Sequence, residues 1–555
     1  MVATSPDTSG KLYGLDLEMR QMVLDTVRQL SKRLLAKDRV LQWDKEEVFP
    51  EETLREMLGP EIGLQLLMIP ESYGGMGGGA RDSAIVTREM SKICLGITTA
   101  FFAIQLGADP LVVGGTEAQK QKWLGKIAEG DALVAYAVTE PGAGSDVANI
   151  KTKAEPVYGD DGALIGHKVN GTKQFISTGA AADFITLLAK APEGPTFFVV
   201  EKGTGGFEPG RSEEKHGIRA SQTASLSFND VFVPIENLIG GVPGKGLKQA
   251  NQVFGYTRLM VAAMGLGAGE AALNIAIPYA KERFVSGSLL SEKQGYTHKL
   301  ILPHAVRLAA AAAYIDEVAE RLDAGEKDLQ VEGSIAKYFA TEAGNRAAED
   351  CMQALGGYGY TSEFEVEKIK RDVKITCIYE GASEVQQNII STFRWRTTVK
   401  TKGDFYGSRS AAVEALDARI PGAGCRFLAR AARILNETFL RVHEKKLTRV
   451  QAVMFLLADM ATCVEAGCAL ARKAATAAET NAAAARRLEL MCRLFAHETA
   501  RLVHTNVSTI LQGSGAFEPD EIQAFVDGNG LNELNESYQG VIPVMDRVAD
   551  IIFER

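Results

Sequence analysis

The hydrophobic periodicity of this chain changes twice along its length, and these changes limit the fold more than any other feature. From residue 15 to about 130 apolar residues recur with helical spacing, interrupted by "IPESYGGMGGG". From 131 to about 240 short, partly alternating runs follow, and "YGDDGALIGHKVNG" predicts a hairpin around Asp160, Asp161 and Gly162. Helical spacing then returns. The pattern predicts an α+β fold, mostly α, with four domains: 1–130 helical, 131–240 β-rich, 241–400 helical and 401–555 helical.

The charge and cysteine content exclude several classes of function. The net charge of -9 and the pI near 5.6 argue against a nucleic-acid binder, which needs a basic face, and weaken the case for anionic membranes. Seven cysteines without a C-x-x-C pair predict reduced, mostly buried thiols in a cytosolic compartment. Neither these cysteines nor the seven histidines cluster with metal-ligand spacing, so we expect no metal site.

Two segments bear on the location of the protein. The start, "MVATSPDTSGKLYG", has no apolar core for secretion and is not an arginine-rich transit peptide, so we expect a cytoplasmic protein. The stretch 452–470 is apolar enough to suggest a membrane span. However, it contains Asp459 and Glu465, so it predicts a helix buried among other helices and no transmembrane segment.

The fourth domain has an amphipathic character. The polar stretch "RTTVKTKGDFYGSRS" is predicted to be a linker that leads into it. Beyond the linker one face is polar, and Arg426, Arg430 and Arg433 form a basic stripe on it. This stripe is either a solvated face or a surface that rests on a membrane, and we expect the solvated face. The opposite face is apolar and carries Phe427, Ala431, Ile434 and Phe439.

This domain also repeats features of the one before it. At a constant offset of 156 residues, Phe339, Ala340, Glu342, Leu355, Gly357 and Gly359 recur as Phe495, Ala496, Glu498, Leu511, Gly513 and Gly515. Further along, "YEG" at 379–381 corresponds to "YQG" at 538–540, with three residues inserted. The repetition is either chance among alanine-rich helices or a degenerate duplication, which six identities in register favour. In a duplicate, Gln539 replaces Glu380, and an amide cannot act as a carboxylate base.

Two glycine runs suggest nucleotide binding. "GGMGGG", 74–79, follows no predicted strand, so we expect a flexible turn and not a dinucleotide fingerprint. "TEPGAGSD", 139–146, follows an apolar run, but hairpins come after it where a nucleotide-binding elbow has a helix. Its glycines and Ser145 could offer donors to a phosphate or to an isoalloxazine edge. A turn and a ligand loop are equally compatible with this stretch.

The stretch "CIYEGASEVQ", 377–386, places a carboxylate, Glu380, between an aromatic ring and a glycine. The run before it, "RDVKIT", is apolar at alternate positions, and the run after it has the spacing of a helix. A glutamate at such a junction is either a solvated turn residue or a group directed into a cavity.

The order of the motifs decides between these possibilities. "PESYGGMG", "YAVTEPGAGSD", "NGTKQFIST", "KHGIRASQTASLSFNDVFVP", "GYTRLMVAA", "QALGGYGYT" and "RDVKITCIYEGASEVQ" together resemble the acyl-CoA dehydrogenase family of flavoproteins over about residues 15–396. The additional C-terminal domain looks like that of the very-long-chain branch. The resemblance implies a helical domain, a β-barrel-like middle domain and a C-terminal four-helix bundle, with FAD between the middle domain and the bundle.

The resemblance also assigns the cofactor contacts residue by residue. An arginine and a glutamine usually come from a neighbouring subunit, and Arg283 and Gln294 match them. Three departures occur: Phe175 and Ser177 stand where many relatives have tryptophan and threonine, Ser286 replaces a phenylalanine, and Ala382 replaces a threonine. The residues expected to bind FAD are Tyr136, Val138, Thr139, Gly144, Ser145, Phe175, Ile176, Ser177, Arg283, Gln294, Gln353, Gly356, Gly357, Ala382 and Glu384.

By the same resemblance, Glu380 is the catalytic base and is directed into a cavity. The reaction removes the proton next to a thioester carbonyl, which needs a positioned carboxylate and hydrogen bonds to the developing oxyanion. Some relatives carry the base beside the arginine of "YTRL", but here that position is Thr257. Arg258 either orders the pocket or satisfies a core acid. The residues expected to contact substrate are Ser145, Thr98, Phe102, Phe254, Arg258, Tyr379 and Gly381.

The resemblance predicts α,β-desaturation of an acyl-CoA in fatty acid β-oxidation, with electrons passed to an electron-transferring flavoprotein. The domain layout favours a long acyl chain, but Phe101 and Phe102 near the tunnel floor could shorten it, so we expect a medium-to-long straight chain. An acyl-CoA oxidase and an assembly partner of a respiratory complex are the alternatives. We also expect a homodimer in which the C-terminal domains occupy the places of two missing subunits.

Overall fold

The computed structural model describes residues 14–555, apart from the side chain of Tyr256, and divides the chain into two compact units. The first unit comprises the chain up to Gly267 together with Ala319–Gln330 and Arg371–Thr376. The second unit comprises Ala268–Val318, Val331–Lys370 and Cys377–Arg555. Each unit therefore combines segments that are distant in sequence.

Six helices occupy the start of the first unit, as the helical spacing predicts. The interruption at "IPESYGGMGGG" forms two short 3₁₀ turns and a glycine loop that returns against the first turn. Gly75 is required there, because a Cβ at this position would lie 1.9 Å from the carbonyl oxygen of Ile69. The helices are α1 (Leu17–Leu30), α2 (Lys37–Glu46), α3 (Glu51–Leu58), α4 (Ala80–Ile93), α5 (Leu95–Gly114) and α6 (Glu117–Ala128).

A curled seven-stranded sheet follows, with strand order β1-β4-β2-β3-β7-β6 and β5 paired to β4. The predicted hairpin is confirmed: β2 and β3 pair antiparallel, and Gly162 adopts φ 76° in the turn. Strand β3 shifts register against β7 twice, and such bulges bend a sheet. The strands are β1 (Val134–Ala137), β2 (Lys153–Tyr158), β3 (Leu164–Ser177), β4 (Phe184–Ala191), β5 (Gly194–Glu201), β6 (Phe207–Ser212) and β7 (Thr223–Pro234).

The rest of the chain is helical apart from a two-stranded ribbon, β8 (Phe284–Val285) and β9 (Ser288–Leu289). Alanine is the most frequent buried apolar residue in these helices, beside many larger ones such as leucine and valine. The helices are α7 (Gly246–Glu282), α8 (Gln294–Tyr296), α9 (Leu302–Asp323), α10 (Gln330–Ala354), α11 (Glu365–Lys374), α12 (Ser383–Lys400), α13 (Asp404–Ala415), α14 (Cys425–Glu444), α15 (Gln451–Thr480), α16 (Ala482–Gly513), α17 (Pro519–Asn529) and α18 (Val541–Phe553).

The predicted linker is wrong. The stretch "RTTVKTKGDFYGSRS" contains the end of α12 and most of α13, and only the turn Thr401 to Gly403 separates them. Polar composition misled the prediction, because α13 buries Tyr406, Ser410 and Val413 while most of its other residues face outward. Similarly, the alternation in "RDVKIT" does not form a strand, since this run ends α11 and continues as a 3₁₀ turn.

Elements of residues 401–555, called here the C-terminal segment, follow the order of those in the bundle. Helices α9, α10, α11 and α12 correspond in sequence to α15, α16, α17 and α18. Phe339 and Phe495, equivalent under the 156-residue offset, contact each other with ring centroids 5.6 Å apart. A residue that touches its own equivalent lies close to a local twofold axis.

Two ion pairs show the same relation. Arg472 binds Glu317 at 2.9 Å, and Lys473 binds Asp316 at 2.5 Å. Under the 156-residue offset, Arg472 is the counterpart of Asp316 and Lys473 is the counterpart of Glu317. The pair between Arg472 and Glu317 is therefore the counterpart of the pair between Asp316 and Lys473. Together with the phenylalanine contact, these pairs support a degenerate duplication whose copies pack face to face.

The basic stripe on α14 is exposed at Arg426 and Arg433 and half-buried at Arg430, in agreement with the expected solvated face. Each arginine also lies beside an acid, so the stripe is not one continuous cationic surface. Arg426 lies 3.9 Å from Glu536, Arg430 pairs with Glu533, and Arg433 pairs with Glu414 at 2.9 Å. These acids come from sequence positions 19 to 110 residues away, which the sequence pattern does not reveal. The opposite face of α14 is buried, as predicted, at Phe427, Ala431, Ile434 and Phe439.

Among the described residues three helices are long and apolar enough to cross a membrane: α5, α7 and α15. Most of each is buried within the folded chain, and for α15 this confirms the helix predicted at 452–470. The seven cysteines are buried and form no disulfide, also as predicted.

Candidate active site

Glu380 lies in a strained turn of the second unit, just before α12. Its φ is 52°, in the left-handed region that side chains rarely adopt, and Gly381 follows with φ 91°. The left-handed conformation costs about 1–2 kcal/mol for a non-glycine residue. Glycine suits position 381 because its φ of 91° is one that side chains rarely adopt, and because a Cβ there would lie 2.3 Å from Nε2 of Gln386 and displace that side chain. Glu380 is half-buried, which a solvated turn residue would not need to be.

Hydrogen bonds to the backbone hold this turn. Gln386 donates from Nε2 to the carbonyl oxygens of Glu380 and Gly381, at 3.0 and 3.1 Å. Lys337 on α10 donates from Nζ to the Gly381 carbonyl at 2.7 Å. Ser383, the first residue of α12, donates to Glu342 at 2.7 Å. Strained backbone of this kind persists only where the surrounding structure determines it, and it concentrates at functional sites.

The equivalent turn in the C-terminal segment is relaxed. Gln539 has φ -62° and is exposed, although Gly540 keeps a left-handed φ of 71°. At this turn, backbone strain therefore occurs where the residue is the carboxylate, Glu380, and is absent where it is the amide, Gln539.

In the first unit, the loop after β1 is fixed by a buried ion pair. Lys173 on β3 donates to Oε1 of Glu140 at 2.8 Å and to the carbonyl of Val138 at 2.9 Å. Glu140 also accepts from the backbone N–H groups of Lys151 and Thr152. Of the two equally open readings of "TEPGAGSD", this anchoring favours the ligand loop, because a simple surface turn needs no buried cation to hold it.

The pair shifts both pKa values. Burial lowers the pKa of Lys173 to about 8, and the hydrogen bond and charge of Glu140 offset only part of that shift. Burial acts to raise the pKa of Glu140, but the bonds from Lys173, Thr152 and Lys151 outweigh it and the pKa is lowered. At neutral pH both groups are therefore charged.

The residues expected to bind FAD in this unit lie around that loop and the end of β3. Gly142, Gly144 and Ser145 are exposed, and no atom would contact a Cβ on Gly142 within 4 Å. Thr139 accepts a backbone hydrogen bond from Gln174, which joins the loop to β3. The other residues expected to bind FAD near this loop and the end of β3 are Tyr136, Val138, Ile176 and Ser177. Val138 and Ile176 are buried.

Phe175 provides a test of whether this surface fits a flat aromatic cofactor. It lies in β3 with φ 59°, and its side chain is 63% exposed. A large apolar ring is normally buried, so both the backbone strain and the exposure need a cause. An open ring beside loop backbone donors and the Ser177 hydroxyl suits an isoalloxazine, and the residues present therefore fit the group.

The residues expected to contact the acyl chain in the first unit are mostly buried. Phe101 and Phe102 on α5 contact each other edge to face, with centroids 5.1 Å apart, and Thr98 donates to the carbonyl of Cys94. Phe254 on α7 is half-buried and lies 6.4 Å from the ring of Tyr136.

Arg258 and Thr257 on the same helix are also buried, and Arg258 donates to the carbonyl of Gln330 at 3.4 Å. This bond to a backbone carbonyl is compatible with both roles considered for Arg258, which are to order the pocket or to satisfy a core acid.

The remaining expected residues lie in the second unit. Gln353, Gly356 and Gly357 are exposed at the end of α10, and no atom would contact a Cβ on either glycine. Tyr379, Ala382 and Glu384 flank the base, and Glu384 is exposed on the first turn of α12.

Arg283 and Gln294 flank the two-stranded ribbon and are exposed, as a contribution to another subunit requires. Gln294 donates to Asp546 of α18 at 2.7 Å, so its amide already contacts the C-terminal segment of the same chain. This contact comes from 252 positions away and could not be inferred from the motif.

Sequence reasoning missed the residues that support the site. Lys337, Lys173 and Glu140 lie within recognised motifs or predicted elements, but each looks like an ordinary surface charge in sequence. In the structure each of these three residues is at most 6% exposed. This burial is the sign of a supporting role, and the sequence does not show it. Fully buried lysine and glutamate are rare unless paired.

Comparisons with known proteins agree with this geometry. Family models match at residues 18–131 ("Acyl-CoA dehydrogenase, N-terminal domain"), 135–231 ("Acyl-CoA dehydrogenase, middle domain") and 244–393 ("Acyl-CoA dehydrogenase, C-terminal domain"). The chain is 36% identical over 381 residues to an acyl-CoA dehydrogenase of Bacillus subtilis, covering 68% of this chain and 96% of the relative.

Two solved structures are similar in fold. Butyryl-CoA dehydrogenase of Megasphaera elsdenii has a TM-score of 0.63 and 35% identity, covering 68% of this chain and 98% of the other. An acyl-CoA dehydrogenase of Bacillus anthracis, complexed with FAD, has a TM-score of 0.84 at 24% identity and covers 100% of this chain and 96% of the other. At that identity the second similarity shows the fold alone, but the fold includes the C-terminal segment.

Proposed function

Because the chain belongs to the acyl-CoA dehydrogenase family, we propose that it converts a saturated acyl-CoA to the trans-2-enoyl-CoA, with Glu380 as the catalytic base. The protein is an oxidoreductase that acts on a CH–CH bond, and its cofactor is FAD. The observation that carries the proposal is the strained, half-buried Glu380 turn, which is relaxed where Gln539 replaces the glutamate.

In the proposed reaction the Glu380 carboxylate takes the α-proton of the thioester. The base is needed because the carbanion next to a thioester is unstable in water, and a positioned carboxylate contributes about 10²–10⁴ in rate. The family pattern assigns the Glu380 N–H as a donor to the thioester oxygen, where negative charge develops. The strained backbone fixes the direction of that N–H and of the side chain at the same time.

Bound FAD would supply the acceptor for the β-hydrogen and its electron pair, whose removal completes the double bond. We propose that the first unit holds the cofactor through Thr139, Ser145, Phe175 and Ser177. Phe175 would cover one face of the ring system, and the hydroxyls and loop backbone would donate to its polar edge. The electrons then pass to an electron-transferring flavoprotein.

For the acyl chain we propose medium to long length. The additional C-terminal segment supports a layout like that of the very-long-chain branch. Phe102 on α5 is the residue that would set an upper limit, because a phenylalanine ring is bulky and it lies buried at 6% exposure. If the ring limits the tunnel, Phe102→Ala will move the preferred substrate to longer chains.

We also propose that the protein is a homodimer. The swapped ion pairs and the contact between Phe339 and Phe495 support a C-terminal segment that packs on its own bundle as a second subunit would. Light scattering that gives the mass of two 59.7 kDa chains agrees with this proposal, and the mass of four chains contradicts it.

The test of function is anaerobic mixing of the purified flavoprotein with butyryl-, octanoyl-, palmitoyl- and stearoyl-CoA while the visible flavin absorbance is followed. Bleaching by acyl-CoAs of one length class supports the proposal and identifies the length of the acyl chain that the protein prefers. Full flavin that none of these straight-chain acyl-CoAs bleaches contradicts the proposed substrate class, and full flavin that branched acyl-CoAs added in a second series also fail to bleach favours an assembly role. Rapid reoxidation by O₂ in a reduced sample would contradict the proposed protein acceptor and favour an oxidase.

A further inference from the structure

Lys337 on α10 is fully buried, with 0% of its surface exposed. Burying a lysine loses both the hydration of the ammonium and the freedom of a long side chain, so it occurs only where the charge has partners. Its Nζ donates to the carbonyl oxygen of Gly381 at 2.7 Å, directly after the base. A hydrogen bond from a charged donor is about twice as strong as a neutral one.

The turn that Lys337 contacts is the strained one. Glu380 and Gly381 both have positive φ, and each offers its carbonyl oxygen to the side chain of Gln386 as well. If the turn relaxed, the φ values of Glu380 and Gly381 would change, which would move the Gly381 carbonyl away from Lys337 and change the direction in which Glu380 projects. Lys337 therefore opposes relaxation of the turn.

The C-terminal segment contains an equivalent contact. Arg493 lies 156 positions after Lys337 and is also buried. Its Nη2 donates to the carbonyls of Ser537 and Gln539, at 2.7 and 3.0 Å. A buried cation that donates to turn carbonyls thus recurs in both copies, but Arg493 binds the carbonyls of Ser537 and Gln539 and not that of Gly540, the counterpart of Gly381. The copies differ in the strain, which only the Glu380 turn retains.

We propose that Lys337 is a positioning residue for the reaction: its buried ammonium holds the Gly381 carbonyl and thereby fixes the orientation of the Glu380 base. This inference rests on the proposed function. Lys337 is not assigned contact with substrate, and it acts through the backbone of the turn.

The test uses Lys337→Met in the full-length flavoprotein. Methionine has a similar length and no charge, and the Gly381 carbonyl keeps the donor from Gln386, so the fold should survive. We expect normal flavin content and a bleaching rate at saturating acyl-CoA at least about tenfold below wild type, since a misplacement near 1 Å can cost about a hundredfold. The substrate concentration for half-maximal rate should change by less than about threefold.

Two further variants separate positioning from general stability. Lys337→Arg should keep the rate within about threefold of wild type, because it keeps a charged donor beneath the turn, as Arg493 is at the equivalent position of the other copy. Arg493→Met removes the equivalent cation in the copy without a carboxylate, so its rate should match wild type. Thermal midpoints of all variants are measured alongside.

Three results would overturn the inference. One is a flavin-replete Lys337→Met with the wild-type rate. Another is an equal loss of rate in Arg493→Met, which would indicate a general structural role. Where Lys337→Met does not fold, a flavin-replete Lys337→Arg with more than about a tenfold loss also overturns it. Wild-type protein that no acyl-CoA bleaches would instead refute the proposed function, so the two failures are distinguishable.

Discussion

The buried pair between Glu140 and Lys173 offers a quantitative prediction about the cofactor loop. Glu140→Gln keeps the shape of the side chain but removes the charge that faces the Lys173 ammonium at 2.8 Å. The neutral amide also can no longer accept with both terminal atoms from the backbone N–H groups of Lys151 and Thr152. The variant therefore leaves a buried cation without its anion and at least one backbone donor without its acceptor.

The size of the expected stability loss in Glu140→Gln follows from the burial of the two side chains. Both side chains are at most 5% exposed, so solvent screens the interaction little. Removing one partner of a buried pair costs about 3–5 kcal/mol, most of it from the charge that remains. The loss depends on pH. The lowered pKa of Lys173, about 8, means that the unfolded chain binds a proton between pH 8 and 10.5 that the folded chain has released. Raising the pH through this window stabilises the fold and neutralises Lys173. The difference in the free energy of unfolding between Glu140→Gln and wild type should therefore narrow.

Urea unfolding monitored by flavin release, at pH 7 and pH 9.5, measures this prediction. The matched control is Lys168→Met on the same strand, whose pair with Asp230 is 3.9 Å long and exposed, so it should change stability by less than about 1 kcal/mol. A loss in Glu140→Gln no larger than that of the control would refute the reasoning. So would a loss that grows between pH 7 and 9.5.

Two other predictions concern the second unit. Arg394→Met should destabilise the protein by about 3–5 kcal/mol, because Arg394 bonds Glu465 at 2.7 Å and Glu332 at 3.0 Å in the interior and its removal leaves two buried carboxylates. Denaturant unfolding checks this, and a loss below about 1 kcal/mol would contradict it. His497→Gln should reduce acid sensitivity. Burial, aided by the charges of Arg493 and Arg501, lowers the pKa of His497 to about 4. Between about pH 6.5 and 4 the unfolded chain therefore binds a proton that the folded chain does not, and stability falls as the pH drops. Thermal midpoints from pH 7 to 4 should decline less in the variant, and parallel curves would argue against it.

The fold could be predicted from the sequence because local and global signals agree. The β2–β3 hairpin follows from "YGDDGALIGHKVNG" alone, since the turn residues and the flanking alternation both specify it. The buried α15 follows from an apolar stretch that contains acids. The wrong prediction, the linker that forms much of α13, occurs where composition was the only signal.

The site was predictable only in part. The motif order identified Glu380, and the 156-residue offset pointed to Gln539 as its counterpart. The burial of Lys337 and Lys173 depends on which distant segments pack over them, and no local pattern records that. The same holds for the acids that pair with the α14 arginines and for the contact between Gln294 and Asp546. Contacts that come from distant segments in this way are what tertiary packing adds to sequence reasoning.

The central claim is that Glu380 is the base that begins the reaction, and one measurement tests it most directly. Wild-type protein and Glu380→Gln, both with full flavin, are mixed anaerobically with the acyl-CoA that bleaches the wild type fastest. The account predicts that the variant binds the acyl-CoA but bleaches at least about a hundredfold more slowly. Adding Gln539→Glu to that variant should restore nothing, because the equivalent turn is relaxed and exposed. Bleaching of Glu380→Gln at the wild-type rate would contradict the claim.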